Sequence, residues 1–170
     1  MDPRLTREEL QVSIHSVPAP GRSEPVRIVE TVFPNATNHY GTMFGGKVLE
    51  LMDRAAFLAA SRFAQEAMVT ASSERIDFHR PIKHGQMVEA IAKVVHTGRT
   101  SVSVHVSLFA EDPVKGLREH ATEGYFHMVA IGADGRPVPV PAFEPETPEA
   151  RALWEVAARM KAERRSRRHE

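Results

Sequence analysis

One stretch constrains this chain more than any other. Residues 45–65, GGKVLELMDRAAFLAASRFAQ, repeat with a helical period and contain no proline. At about 100° per residue, Val48, Leu51, Met52, Ala55, Leu58, Ala59 and Phe63 form a wide apolar face, with Lys47, Glu50, Arg54, Ser61 and Gln65 on a narrower stripe opposite. A helix this apolar, lined with small alanines, requires cover on most of its sides. The cover has to come from the C-terminal part of the chain, where the period changes to two: residues 70–78, 87–96, 101–110 and 122–131 read as strands. The third is the clearest, with Val102, Val104, Val106 and Leu108 on one face and Ser101, Ser103, His105 and Ser107 on the other. Turn residues separate these strands: Arg80-Pro81, Gly98-Arg99, Asp112-Pro113 with Gly116, and Asp134-Gly135.

A further strand precedes the helix. VRIVETVF alternates from Val26, and Pro34 with the polar run after it closes the strand in a loop. Five strands and one early helix, joined by hairpin-length turns, indicate an α+β fold in which an antiparallel sheet wraps one long central helix. The strand–helix alternation of a doubly wound fold is absent. Residues 1–25, rich in proline and charge, read as a flexible N-terminal arm; residues 26–141 as the folded domain; and residues 142–170 as a basic C-terminal helix ending in KAERRSRR.

Composition removes several function classes. A chain of 170 residues suits one domain. It has no cysteine, which excludes disulfides, thiolate metal sites and a cysteine nucleophile. A net charge of +0 gives no field that favours nucleic acid or an acidic membrane surface. No apolar run reaches the roughly 18–20 residues that cross a bilayer, and residues 1–25 lack the apolar core of a signal peptide. The expectation is a soluble cytoplasmic protein. The nine histidines contain no HExxH and no i, i+4 pair within the helix, so no metal is expected. The serines lack the G-x-S-x-G elbow of a serine hydrolase.

Two places remain where chemistry is concentrated. NHYGTMFGG, residues 38–46, runs directly into the helix. Backbone N–H groups at a helix start are unpaired and carry partial positive charge, so a carbonyl oxygen lodged at Gly45 and Gly46 would be polarised. The competing reading is that the two glycines only let helix and sheet pack closely. Asp53 is the second place. It sits between Leu49, Ala56, Phe57 and Ala60, at the shoulder of the polar stripe, where a carboxylate needs a partner or a function. The alternative is an edge residue that meets water or pairs with Arg54 or Lys47. Arg99, in its tight turn, and the basic tail are either ordinary surface cations or phosphate contacts.

In this order these residues resemble the small acyl-CoA thioester hydrolases of the hotdog superfamily. The resemblance runs from about Val26 to Pro141 and rests on NHYGTMFGG, LMDRAA (51–56), RIDFHRPI (75–82), TGRTS (97–101), FHMVA (126–130) and GRPVPVP (135–141). It implies a hotdog fold in which two copies join their sheets and form active sites at the interface, as a homodimer assembling to a tetramer or hexamer. It implies hydrolysis of acyl-CoA to free CoA and a carboxylic acid, with no metal or other cofactor. Asp53 matches the family's acidic residue, a general base or, less often proposed, a nucleophile. Gly45 and Gly46 match its carbonyl-binding site. Thr42 stands where relatives often carry Asn or Asp, so Asn38 or Thr42 would position water or substrate. Arg80, Arg99, Thr100 and Ser101 would lie near the nucleotide of CoA, and the tail from Arg164 near its 3′-phosphate. Two alternatives on the same fold are a non-catalytic acyl-CoA sensor and a dehydratase or hydratase. The latter pairs a histidine with a carboxylate, and here His39 only precedes the helix.

Overall fold

The computed structural model describes residues 18–167. Most of the expected arm and the end of the basic run lie outside the described residues. The order of elements is β1 (Val26–Thr31), a 3-10 turn (Pro34–Ala36), α1 (Gly45–Ala64), β2 (Ala67–Phe78), β3 (Met87–Thr97), β4 (Ser101–Asp112), β5 (Leu117–Ile131) and α2 (Pro148–Arg167). All neighbouring strands are antiparallel, in the order β1-β3-β4-β5-β2, so β1 and β2 are the sheet's edges. Helix α1 lies across one face and buries Val48, Leu51, Met52, Ala55, Ala59 and Phe63 against Val102, Val104, Val106 and Leu108 of β4. The α+β architecture, one sheet wrapped on one long helix, is the one the periodicities imply.

Two expectations are corrected. Strand β5 starts at Leu117 rather than near 122, because Arg118 and Glu119 pair with Glu111 and Ala110 although they lack an alternating apolar pattern. The hairpin that sets this register is held by Asp112, whose Oδ1 accepts the Val114 and Lys115 N–H groups at 3.1 Å. Leu58, placed on the buried face by its angle, is instead 38% exposed. The sheet covers α1 from one side only. Leu49 and Phe57, together with Leu58, are left facing away from the core, while Ala56 and Ala60 turn inward.

Edge strand β2 carries two irregularities. Thr70 pairs with Met128 and Ser72 with His127, so Ala71 is an extra residue. Regular alternation would put Thr70 and Ser72 on the same face; the bulge puts Thr70 on the α1 side and Ser72 on the outer side. A second irregularity falls between Glu74 and Asp77, with Arg75 at φ 52 opposite Gly124. A Cβ at Gly124 would lie 2.3 Å from Ile76 Cδ1 and 3.3 Å from Arg75 O, so any side chain there would have to displace the tip of Ile76.

Helix α2 covers part of the outer face, with Leu153, Val156, Ala157 and Met160 against Val95 and Tyr125. Polar groups are buried beneath it. Ser103 Oγ and His127 Nδ1 share a 2.9 Å hydrogen bond, and the His96 ring lies 5.3 Å from Trp154. His127 is buried, and its pKa is pushed down to about 4, first by desolvation and then by Arg164, His96 and Lys161.

Candidate active site along the α1–β2 seam

The start of α1 breaks the usual rule for a helix end. Phe44 is the N-cap and offers no side-chain hydrogen bond, and the first turn contains no acidic residue. The Phe44 N–H is taken by Ala36 O, and those of Lys47 and Val48 both go to Phe44 O. The N–H groups of Gly45 and Gly46 have no acceptor among the described residues. A Cβ on Gly46 would meet nothing within 4 Å, and one on Gly45 only Phe78 Cζ at 4.0 Å. These glycines therefore do not serve close helix–sheet packing; they leave an open, electropositive helix end.

The loop before it is built around Asn38. Its Oδ1 accepts the Tyr40 N–H at 2.9 Å, the Thr42 N–H at 3.3 Å and the Thr42 hydroxyl at 3.2 Å. The Asn38 N–H donates to Thr42 O, and Gly41, at φ +70, closes the turn. The Met43 N–H donates to Ile82 O, tying the loop to the segment after β2. Thr42 thus supports Asn38, and the Asn38 amide NH₂ makes no hydrogen bond among the described residues. His39, beside it, is exposed and stacks on Tyr40.

Asp53 is half-buried on α1. It pairs with neither of the cations beside it in sequence: Arg54 is bound to Glu30, and Lys47 to Glu50 at 2.7 Å. Its Oδ1 instead accepts the Thr70 hydroxyl at 2.6 Å, and Thr70 Oγ1 also lies 3.5 Å from Met128 Sδ. Sequence reasoning missed Thr70. The available signal was a hydroxyl near the start of the strand after the helix, but which face it takes is set by the bulge. Among the described residues of one chain no histidine is hydrogen-bonded to Asp53; His127 is on the opposite face of the sheet.

Around these residues runs an apolar stripe. Leu49 and Phe57 flank Asp53 one helical turn to either side, and Phe78 of β2 reaches the first turn of α1; they are between 38% and 56% exposed. Gly46 and Asp53 are seven residues apart on α1, or about 10 Å along the axis at 1.5 Å per residue.

The residues expected to meet the nucleotide are not together. The Arg80 N–H donates to Ala121 O, whereas Thr100 O accepts the Ala130 N–H. Nine residues of β5 separate these anchors, about 30 Å at the rise of an extended strand. Arg80 pairs with Glu119 at 3.4 Å. Arg99 is exposed, with no ion pair among the described residues, and its turn closes through a hydrogen bond from the Gly98 N–H to Ser101 O. Arg164 is engaged at Glu74, 3.1 Å away, and at Ser72. A groove of about 740 Å³ between residues 20–25, β3 and the start of α2 contains none of these residues. No group of acidic or histidine side chains able to hold a metal occurs among the described residues. None of their helices is long and apolar enough to cross a membrane.

Residues 40–117 match the thioesterase superfamily model. An uncharacterized acyl-CoA thioester hydrolase of Bacillus subtilis is 36% identical over 83% of this chain and 83% of its own length. A structure described as an apo-hexameric acyl-CoA thioesterase superposes with a TM-score of 0.80 at 40% identity, over 84% of this chain and 92% of that one. An acyl-CoA hydrolase of Staphylococcus aureus, in complex with butyryl coenzyme A, coenzyme A and coenzyme A disulfide, gives 0.79 at 32% identity, over 85% and 88%. Further structures of that hydrolase carry alanine in place of an aspartate, a threonine or an asparagine.

Proposed function

Because this chain belongs to the acyl-CoA thioester hydrolases of the thioesterase superfamily, we propose that it hydrolyses acyl-CoA with Asp53 as general base and the Gly45 and Gly46 amides as the oxyanion site. Asp53 takes a proton from water, and the resulting hydroxide adds to the thioester carbonyl. The carbonyl oxygen gains negative charge against the two free N–H groups. Collapse of the adduct breaks the C–S bond, and the protonated Asp53 returns its proton to the leaving thiolate, releasing the carboxylic acid and the CoA thiol and regenerating the carboxylate. Thr70 holds Asp53 in place, and the free amide of Asn38 orients water or the thioester. Arg99 is the open cation for a phosphate of CoA.

The observation that carries this reading is that the chain exposes both a carboxylate fixed by Thr70 and an uncapped helix start, which two copies could bring together. A second support comes from the related hydrolase. The asparagine, aspartate and threonine replaced in its variants succeed one another at the same intervals as Asn38, Asp53 and Thr70 here.

The separation of about 10 Å between Gly46 and Asp53 is too long for both to act on one thioester. We infer that each site combines Asp53 of one copy with Asn38, Gly45 and Gly46 of another. The exposed stripe of Leu49, Phe57 and Phe78 and the unpaired edge of β2 are the surfaces that two copies would cover. Related structures described as hexameric thioesterases support such an assembly.

The test is Asp53→Asn, assayed by thiol release from straight, branched and aromatic acyl-CoAs. A loss of about 10²–10⁴ in kcat is expected, with the fold retained; activity within about tenfold of wild type would overturn the assignment. Co-assembling the Asp53→Asn chain with an Asn38→Ala chain should regain activity, because one mixed site is then intact. Failure of the mixture where each parent folds would overturn the two-chain site.

A further inference from the structure

We propose that Arg164 of α2 is a positioning residue for this reaction: clamping Ser72 and Glu74 from the outer face, it fixes the β2 bulge that turns Thr70 toward Asp53. The proposal rests on the catalytic reading of Asp53 given above. Thr70 and Ser72 are the two residues bracketing the bulge, and they face opposite sides of the sheet. On the inner side, Thr70 is held by Asp53 at 2.6 Å and by contact with Met128. On the outer side, the Arg164 guanidinium donates to Ser72 Oγ at 2.9 Å and lies 3.1 Å from Glu74 Oε1. Both contacts fall between the bulge and the second irregularity, on the segment whose slippage would move the extra residue.

A strand at a sheet edge has one neighbour only, so its register has less to hold it than that of β4 or β5. A shift of one residue would rotate Thr70 to the outer face and leave Asp53 without its hydrogen bond. Helix α2 is anchored independently of β2, through Leu153, Val156, Ala157 and Met160 on Val95 and Tyr125. It is therefore a fixed post from which Arg164 reaches over the bulge. Next to it, His127 pairs with Ser72 across the strands and is itself held by Ser103. The clamp and the catalytic pair thus occupy opposite faces of the same two rows of β2 and β5.

The experiment is steady-state thiol release by the full chain carrying Arg164→Ala, Arg164→Lys, Thr70→Ala, or Thr70→Ala with Arg164→Ala, with assembly checked by light scattering. Misplacement of a catalytic group by about 1 Å costs on the order of 10²-fold, so Arg164→Ala should lower kcat about 10–100-fold. KM for acyl-CoA should stay within about twofold, and Arg164→Lys should recover part of the loss through one remaining contact. In the Thr70→Ala background, Arg164→Ala should have little further effect on kcat, since both act through the same hydrogen bond. Losses that multiply would overturn the proposal. So would a rise in KM confined to acyl-CoA and absent with acyl-pantetheine, which would make Arg164 a phosphate contact. If Arg164→Ala does not assemble, Arg164→Lys and Ser72→Ala carry the same comparison. An inactive Asp53→Asn beside a fully active Arg164→Ala would remove this inference alone, whereas an active Asp53→Asn would remove the catalytic reading.

Discussion

Replacing His127 with Asn should flatten the acid side of the stability curve. The His127 imidazole is 2% exposed, and its pKa falls from 6.5 to about 4, mainly through burial and then through Arg164, His96 and Lys161. The folded pKa lies below the unfolded one. Between these values the unfolded chain binds a proton that the folded chain refuses, so stability is complete above about pH 6.5 and is lost as pH falls toward 4. At 1.36 kcal/mol per pKa unit, the loss from this group is about 2 kcal/mol at pH 5 and about 3 kcal/mol at pH 4. Asparagine places a polar atom near the position of Nδ1, so it can keep the Ser103 hydrogen bond without titrating. Urea unfolding from pH 7.5 to 4.5, at one fixed protein concentration, measures the effect. The variant should be about 1–2 kcal/mol less stable at pH 7, from lost packing, and the two curves should converge near pH 5. His96 and His105, also shifted down chiefly by burial, remain in both proteins and cancel in the difference. Parallel curves would show that His127 does not remain neutral beneath α2.

Two further changes separate binding and chemistry from folding. Gly46→Ala places a methyl group where nothing lies within 4 Å, so thermal stability should hold or rise with the better helix former. The same methyl intrudes on the open helix end, and kcat in thiol release should fall about 10²-fold; unchanged kcat would refute an oxyanion role for that amide. Arg99→Ala should raise KM for acyl-CoA more than it lowers kcat, and should matter little with acyl-pantetheine. Equal damage to both substrates would show that Arg99 supports the turn rather than the nucleotide.

The period of 3.6 over residues 45–65 and the period of two after it were enough to read the helix, the strands and their antiparallel arrangement. The boundaries that shifted did so for reasons outside local pattern. Residues 117–121, polar at 118–120, form a strand because β4 presents backbone partners to them, and Leu58 is exposed because one sheet covers only one side of a helix. Asp53, a carboxylate among apolar residues, and the glycine pair at the helix start stood out locally, but each also had an ordinary structural reading; the family resemblance is what raised them and what brought in Asn38. Thr70 was not legible. A threonine in a strand is ordinary, and its inward direction depends on Ala71 being an unpaired extra residue, a matter of register with β5 that no period within β2 encodes. The outer-face partners of Arg164 were hidden for the same reason: 92 residues separate it from Ser72, and only the packing of α2 brings them together.

The local exceptions of this chain converge on one seam. Helix α1 begins without a capping side chain or an acidic first turn, which leaves two polar groups unpaired. It exposes Leu49 and Phe57 on either side of a carboxylate. The neighbouring strand is an edge, bulged, with Val69 and Phe78 uncovered and Phe78 reaching the first turn of the helix. For a single copy two of these features are costs: apolar surface in water and a strand inviting pairing; the exposed N–H groups are met by water until a binding partner excludes it. A second copy would cover the apolar stripe and the strand edge but offers nothing that the free N–H groups specifically require. In the proposed function a thioester carbonyl is that acceptor, held where the partner's Asp53 would deliver water. On the two-chain site proposed above, assembly and catalysis are one requirement, and a chain that lost the first should keep its helix and sheet but lose the reaction.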